Sequence, residues 1–337
     1  MSADTKRNSR YSVTVMTQNL YFGAELTPIF AATNPAHLIA GIATAWAQVE
    51  ASGIEQRAAL VAEEIAASKP DLVGLQEVAQ WSVGASGAMV IKYDFLEVIL
   101  RTLLEHGVFY VPLAVKNDLD QTAPLDAAGT FVRIVDRDVV LLRISLPSAQ
   151  VRPYNVQTKT YSTLFQIPNP LFGSLRAPRS WIAVDANIDD RRFRFVETHL
   201  ESFSAEVQLA QAEELLAGPG NTALPLILAG DFNSNANSRP GDPPSESNTP
   251  TYTKLIANGL RDVWTIVNRG DPGNTGCQEP DLRNPASQLS ERIDLLLTRG
   301  ITPVGAKLVG DKPSSCTSSG LWPSDHAGLV ATLEIPA

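Results

Sequence analysis

The chain has 337 residues, 44% of them hydrophobic and 19% charged, the composition of an ordinary globular protein with a large core. A formal net charge of −9 opposes loose, charge-driven attachment to nucleic acid or an anionic membrane, but not a local grip on phosphate through a bound metal ion. No stretch approaches the length of a membrane span, and the polar start MSADTKRNSRYSVTV lacks a signal peptide's apolar core. The chain as written is therefore expected to be cytoplasmic, or secreted if a signal has been removed.

Residues 1–10 read as a flexible or disordered extension. Residues 11–337 read as one domain, because no internal repeat and no linker rich enough to split them occurs. In chain order, YSVTVMTQNL has the alternating, β-branched character of a strand. GIEQRAALVAEEIAASKPDLVGLQEV gives an amphipathic helix with Leu60 and Ile65 on its buried stripe, a Pro-Asp turn, and the strand LVGLQEV. YDFLEVILRTLLEHG is a second helix, ended by Gly107, and FVRIVDRDVVLLRI reads as a hairpin or paired strands. Residues 153–178, rich in proline and carrying Tyr154, Tyr161, Phe165 and Phe172, read as a long loop packed on its own core. A sharper reading makes them an exposed apolar loop that touches substrate or a membrane face. SWIAVDANIDDRRFRFVETHL is the clearest hairpin, turning at Asp189 and Asp190. The helix AEVQLAQAEELLAG, the strand LPLILAG, a Pro/Ser/Asn-rich loop at 233–250, the helix TYTKLIANG and the strands in ERIDLLLTRG and AGLVATLEI follow.

Polar residues collect where these strands finish: Asn19, Glu77, His199, Asp231 with Asn233, Asp294, and Asp325 with His326 at the opening of the last strand. Strand ends and the loops after them carry sites in layered proteins because the sheet holds them rigidly. Carboxylate and amide oxygens are hard ligands suited to Mg²⁺, and histidines beside carboxylates can move protons or stabilise charge on a phosphoryl group. Alternation turns Phe232 away from Asp231 and Asn233 and into the core. Taken singly, each residue has a duller explanation: a turn or cap at Asp231 and Asn233, a loop hydrogen bond at Asn19, a surface charge at Glu77, a partner for Arg292 at Asp294. His37 and His106 have no such company. The HExxH, CxxC, GxSxG and GxxxxGK[ST] patterns are missing, which removes the commonest zinc proteases, α/β-hydrolases and NTPases.

The ordered set QNL, LQEV, THLES, GDFNS, RIDLLL and SDHAGL, spanning residues 17–330, resembles the endonuclease/exonuclease/phosphatase superfamily of DNase I-like, metal-dependent phosphoesterases. The resemblance implies an α+β fold, the four-layer DNase I-like sandwich of two facing mixed β-sheets flanked by helices. It implies Glu77 as principal Mg²⁺ ligand (Mn²⁺ being an alternative) with Asn19 beside it, and Asp325 supporting a second or shifted metal position. Asp231 would orient or deprotonate the attacking water, with Asn233 holding the phosphate or that acid. His326, oriented by Asp294, would contact the scissile phosphate, and His199 the phosphate or the leaving group. Departures include VDRDVVLL in place of a GNAIL-like strand, so that Asp136, Arg137 and Asp138 either rework the phosphate contact or are ordinary turn charges. Glu25 is either an extra metal ligand or a solvated loop acid. Cys277 and Cys316, paired or free, would tie together the loops of Asp294 and His326 if bridged.

The implied activity is hydrolysis of a phosphoester, with a phosphodiesterase favoured. The alternatives are a nuclease acting on DNA or RNA, a sphingomyelinase-like or inositol-phosphate enzyme, and a binding member without catalysis. The basic residues are scattered, with no run marking a nucleic-acid groove. The expected partner is the phosphoester itself, as nucleic acid, phospholipid head group or small diester; no protein partner is implied and a monomer is expected.

Overall fold

The computed structural model describes residues 11–144, 151–171, 173–239, 241–242 and 245–337; the extension 1–10 and Phe172 lie outside the described residues. The chain runs β1 (Ser12–Asn19), the short α1 (Thr27–Phe30), α2 (Pro35–Ala51), α3 (Ile54–Ser68), β2 (Leu72–Gln76), β3 (Gln80–Ala85), β4 (Ala88–Asp94), α4 (Phe95–Glu105), β5 (Phe109–Pro124) and β6 (Thr130–Ile144). It continues through β7 (Arg152–Thr160), β8 (Phe165–Asn169), β9 (Gly173–Ala177), β10 (Ser180–Ile188), β11 (Arg191–His199), α5 (Ala205–Ala217) and β12 (Leu226–Asp231). The last elements are α6 (Thr251–Ala257), β13 (Arg261–Asp262), α7 (Val263–Val267), β14 (Asp294–Arg299), β15 (Thr302–Val309) and β16 (Gly328–Glu334).

Two sheets face each other, one in the order β15-β16-β1-β2-β6-β3-β4 with β5 paired to β6, the other in the order β13-β14-β12-β11-β10-β7. Val13, Val15, Val140 and Leu142 of the first pack against Ile182, Val184, Phe193, Phe195, Ile227 and Leu296 of the second. The outer face of the first sheet, with Met16, Val73 and Val139, is covered by Trp46 of α2, Val61 and Ile65 of α3 and Phe95 of α4. The outer face of the second, with Val196, Leu228 and Leu295, is covered by Leu215 of α5 and Leu255 of α6. Two apolar faces per sheet need two covers, and the result is the expected four-layer α+β sandwich.

The period of two along each strand decides where the polar ends point. Val13 and Val15 face the opposite sheet, and so by parity does Asn19; Ile227 and Ala229 set the same direction for Asp231, Phe193 and Phe195 for His199, and Leu296 for Asp294. Phe232 turns the other way, fully buried against the helices beside Leu255, as alternation requires.

Three readings of the sequence are corrected. FVRIVDRDVVLLRI is one continuous strand, because β5 pairs with β6 along its length while β3 and β2 share its other edge in succession. Asp136, Arg137 and Asp138 are therefore mid-strand and not turn charges. Arg137 bonds the Val78 carbonyl at 2.7 Å and pairs with Asp94 at 2.6 Å. Residues 153–178 are not a loop but the edge strand β7 and the hairpin β8–β9; Pro153 is tolerated because β7 is an edge. The buried stripe of α3 runs through Ile54, Arg57, Ala58, Val61 and Ile65, leaving Leu60 half-buried. The turn at Asp189 and Asp190 is as expected, with both φ values positive at 46° and 66°.

Glu64, on α3, lies beside Gln18, with Lys307, Asp311 and Glu63 as its charged surroundings, and its Oε2 is buried without a hydrogen-bond partner. Burial, then Asp311 and Glu63, push its carboxyl up to about 8, against the lowering by Gln18 and Lys307. Unfolded, the group ionises near its ordinary 4.5, so across that window the folded chain holds a proton that the unfolded chain has lost, and stability falls as pH rises. Glu64→Gln should raise stability at pH 8 by on the order of 2 kcal/mol and leave it unchanged near pH 4.5. Thermal melts at both pH values check this, and equal shifts would refute it.

Candidate active site

β12 lies flush against β11 because residue 230 is glycine: a Cβ there would sit 1.8 Å from the Thr198 carbonyl oxygen. That close approach aligns Asp231 with His199, its register partner. Asp231 is 1% exposed, and its Oδ1 accepts the Asn233 backbone N–H at 2.9 Å. Its Oδ2 accepts from Asn19 Nδ2 at 3.1 Å and lies 3.5 Å from His199 Nε2 and 3.9 Å from His326 Nε2. Asn233 has φ 48°, a left-handed conformation asparagine adopts readily, and its own amide donates to the Leu200 carbonyl at 3.0 Å. It holds the acid through its backbone.

Glu77 follows β2 at φ 55°, an uncommon conformation for a side chain of this size. The left-handed turn brings its Oε1 within 3.2 Å of Asn19 Nδ2 and its Oε2 within 2.9 Å of the Phe22 N–H. Asn19 thus bridges Glu77 and Asp231 through one amide nitrogen, while its Oδ1 accepts from Tyr21 N. Asp294 is fully buried, and its Oδ2 lies 2.8 Å from His326 Nδ1. Arg292, the alternative partner, pairs instead with Asp262 at 2.6 Å. Ser324 Oγ, donating to Asn19 O at 2.8 Å, joins the loop of Asp325 and His326 to β1.

Burial penalises every charge here, and neighbours decide which survive. Burial first, then Asp294, pushes Asp231 up to about 7, against the opposing pull of His326. Glu77 is raised by burial and Asp325, and Asp325 is itself raised by burial. Burial lowers the proton affinity of His326, yet it rises well above the usual histidine range because Asp294, Asp325 and Asp231 surround it. His199 falls well below that range through burial, Arg179 and His326. The surroundings favour the cation at His326 and the neutral ring at His199.

Two functional residues escaped the sequence reading. Arg179, just before β10, sets Nη1 2.9 Å from His199 Nδ1 and 3.1 Å from Nε2, and Nη2 3.5 Å from Ser202 Oγ; its Nε is buried without a partner. Glu201, Glu77, Asp136 and Asp138 hold its charge against burial. The signal was available: in an antiparallel hairpin the start of one strand lies beside the end of the next, so Arg179 had to neighbour His199. Arg57 is fully buried on the apolar stripe of α3 and donates to the carbonyls of Ser52, Leu20, Tyr21 and Pro323 at 2.7–3.1 Å. It clamps the loops that follow Asn19 and precede Asp325.

Asp136 and Asp138 share the inward face of β6 with Val140, and Ser180 Oγ bridges Asp138 and Asp118 at 3.3 and 3.1 Å. Glu25 is exposed, and its N–H donates to Gln48 Oε1 at 2.9 Å. His37 sits in the first turn of α2 and His106 at the end of α4. Of the two alternatives for Cys277 and Cys316 the structure shows free thiols, and the loops a bridge would have tied are joined by backbone bonds such as Ala327 N to Thr275 O at 2.7 Å and Gln278 N to Asp325 O at 3.0 Å.

Asp231, Asp294 and His326 have ligand atoms within 4.8 Å of one another, the tightest such group among the described residues. Asp325 Oδ1, 3.8 Å from His326 Nε2, and the Glu77 carboxylate, linked to Asp231 through Asn19 Nδ2, add further oxygen atoms beside it. Buried carboxylates that raise one another's proton affinity, and the orphaned Asp294 Oδ1, fit a hard divalent cation, which needs only one or two carboxylates and keeps its waters.

The family model for the endonuclease/exonuclease/phosphatase family matches residues 16–326. No curated protein matches the chain. An endonuclease/exonuclease/phosphatase from Beutenbergia cavernae is 22% identical, with TM-score 0.58 over 97% of this chain and 72% of that one. D. rerio TDP2 complexed with single strand DNA product is 15% identical, with TM-score 0.55 over 96% of this chain and 99% of that one. The mannosyl-6-phosphatase of Bacteroides thetaiotaomicron is 16% identical, with TM-score 0.54 over 95% and 99%. At these identities the likeness is one of fold.

Proposed function

The chain belongs to the endonuclease/exonuclease/phosphatase family, and from that premise we propose that it is a divalent-metal-dependent phosphodiesterase. The observation that carries this reading is the buried meeting of Asp231 and His326, 3.9 Å apart at the strand ends, where burial and Asp294 raise the acid to about 7 and three acids favour the cation at His326. An acid poised near neutrality takes a proton from water more readily than an ordinary carboxylate, and a fixed cation stands ready for the charge that in-line attack builds on phosphorus.

Water, oriented by Asp231 Oδ2, adds to phosphorus as the bond to the leaving oxygen breaks. Its proton passes to Asp231, and the leaving oxygen takes one from His326 Nε2–H, while Asp294 holds the imidazole at Nδ1. Asn19 and the Asn233 N–H keep the Asp231 carboxylate from turning. His199, neutral, aligns the Arg179 guanidinium, whose charge and single unpartnered Nε–H suit a non-bridging phosphate oxygen. Glu77, Asn19 and Asp325 would hold Mg²⁺ or Mn²⁺, which supplies Lewis-acid neutralisation of the phosphoryl charge. Similar structures bear names as different as TDP2 and a mannosyl-6-phosphatase, so the substrate is argued from this site's own charges. Arg57 also faces Asp325 and Glu77 but is spent on four backbone carbonyls, which leaves Arg179 and His326 for the phosphate, a pair that suits a singly charged diester better than a dianionic monoester.

With Mg²⁺ or Mn²⁺ the protein should hydrolyse bis-p-nitrophenyl phosphate, at least tenfold faster than p-nitrophenyl phosphate, and EDTA should abolish turnover. Failure to cleave any phosphoester with either metal would leave the non-catalytic reading standing.

A further inference from the structure

We propose that Phe30, Phe165 and Phe203 form an aromatic shelf at the mouth of the active site that receives a planar aromatic group carried on the phosphoester. The inference rests on the phosphodiesterase reading and names the kind of diester. Phe203 lies four residues beyond His199 and is 49% exposed. Its ring stacks on Phe165 at 6.1 Å and 23°, and Phe30 meets it edge-on at 6.1 Å and 90°.

The three rings come from segments with no sequence relation, and each is held. Asn169, at the end of β8, donates through Nδ2 to the carbonyls of Phe30 at 3.1 Å and Ala32 at 3.0 Å, fixing α1 to the β8–β9 hairpin. The fully buried Glu201 accepts at Oε1 from Ser202 N at 2.9 Å and Phe203 N at 2.8 Å, fixing the turn that presents the ring. Ser202 Oγ faces Arg179 Nη2, which ties that turn to the phosphate-facing guanidinium. Phe30 follows the loop after β1 in the first sheet and Phe203 follows β11 in the second, so the shelf closes one side of the gap between the sheets.

A half-exposed phenyl ring held this firmly contributes little to the core and leaves apolar surface in water. Continuity with Arg179 selects the occupant: a group attached to the bound phosphate reaches Phe203 without leaving the site. Stacking on a ring suits a planar aromatic group, aryl or nucleobase, and is tolerant of its identity. The net charge of −9 and the scattered basic residues disfavour a long polyanion or an anionic lipid surface at the same place.

Phenyl hexafluoroisopropyl phosphate and methyl hexafluoroisopropyl phosphate, read by release of the fluorinated alcohol, share a leaving group without a ring and differ only in the group offered to the shelf. Phe203→Ala should lower kcat/KM about tenfold on the phenyl diester and less than twofold on the methyl diester, with Phe203→Trp restoring the difference. An equal effect on both substrates, or none, overturns the shelf. If the wild type cleaves neither diester, the phosphodiesterase reading fails, and calorimetry in Mn²⁺ decides the shelf separately. Phenylphosphonate should then bind the wild type about tenfold more tightly than Phe203→Ala, and methylphosphonate equally to both. Equal binding of phenylphosphonate, or no binding, overturns it. Cosedimentation with phosphatidylcholine–sphingomyelin vesicles that is lost in Phe203→Ala would overturn it in favour of a lipid face.

Discussion

Asp231→Asn should lower kcat by about 10³- to 10⁴-fold while leaving the protein folded. The carboxylate is pinned by two donors, Asn19 Nδ2 and the Asn233 N–H, so neither oxygen can swing away from the site. An amide of the same shape can accept from the Asn233 N–H, but its –NH₂ then faces the –NH₂ of Asn19. That mismatch costs about 1 kcal/mol. It is offset because the substitution removes a buried charge, burial first and then Asp294 being what raises the Asp231 carboxyl to about 7. Stability and activity therefore separate: the melting temperature should stay within about 2 °C of wild type, a shift of no more than about 1.4 kcal/mol for a chain of this size, and turnover of bis-p-nitrophenyl phosphate should be nearly lost. A variant retaining a tenth of wild-type kcat would mean that the water is activated elsewhere. A variant that unfolds would mean that the acid serves the fold instead.

The parts of this molecule legible in its sequence are those where one periodicity rules. β1 and β11 alternate and β12 and β14 are short apolar runs, and their polar ends fall at Asn19, His199 and Asp231, with Asp294 opening β14; this makes the candidate site visible as strand-end chemistry. β6 was misread because Asp136 and Asp138 sit on its inward face, where sequence patterns expect apolar residues. Acids in mid-strand look like a turn unless one already knows that Ser180, Asp118 and Arg179 lie opposite. β7, β8 and β9 hid for the opposite reason: they lie at an edge or outside the main sheets, so water replaces the buried face that would have imposed alternation. Arg57 shows the same limit in a helix. A cation on an apolar stripe reads as an interruption, and only the four carbonyls converging on it explain why it is there.

The position of the metal is the larger remaining consequence of that geometry, and Glu77→Gln tests it without reference to turnover. A cation that binds only the folded chain raises its stability by about 2.7 kcal/mol when present at a hundred times its dissociation constant. If Glu77 is the principal ligand, Mn²⁺ or Mg²⁺ should raise the wild-type melting temperature by several degrees, and the Gln variant should need roughly 100-fold more metal for the same rise. In EDTA the sign reverses. Glu77 carries a buried charge beside Asp325, and burial with that neighbour raises its carboxyl; removing the charge makes the metal-free variant as stable as wild type or more so. The backbone at φ 55° adds a second comparison, since Glu77→Gly also relieves about 1 kcal/mol of left-handed strain that Gln retains. Asp294→Asn is the matched control for the other placement, the close group of Asp231, Asp294 and His326. If the metal-induced rise survives Glu77→Gln and vanishes in Asp294→Asn, the ion sits in that group and His326 must give up its proton to bind it. If it vanishes in Glu77→Gln and survives in Asp294→Asn, Asp294 serves to hold His326 as a cation beside the phosphate, the arrangement in which a single guanidinium, a single imidazolium and one metal share the charge of a diester.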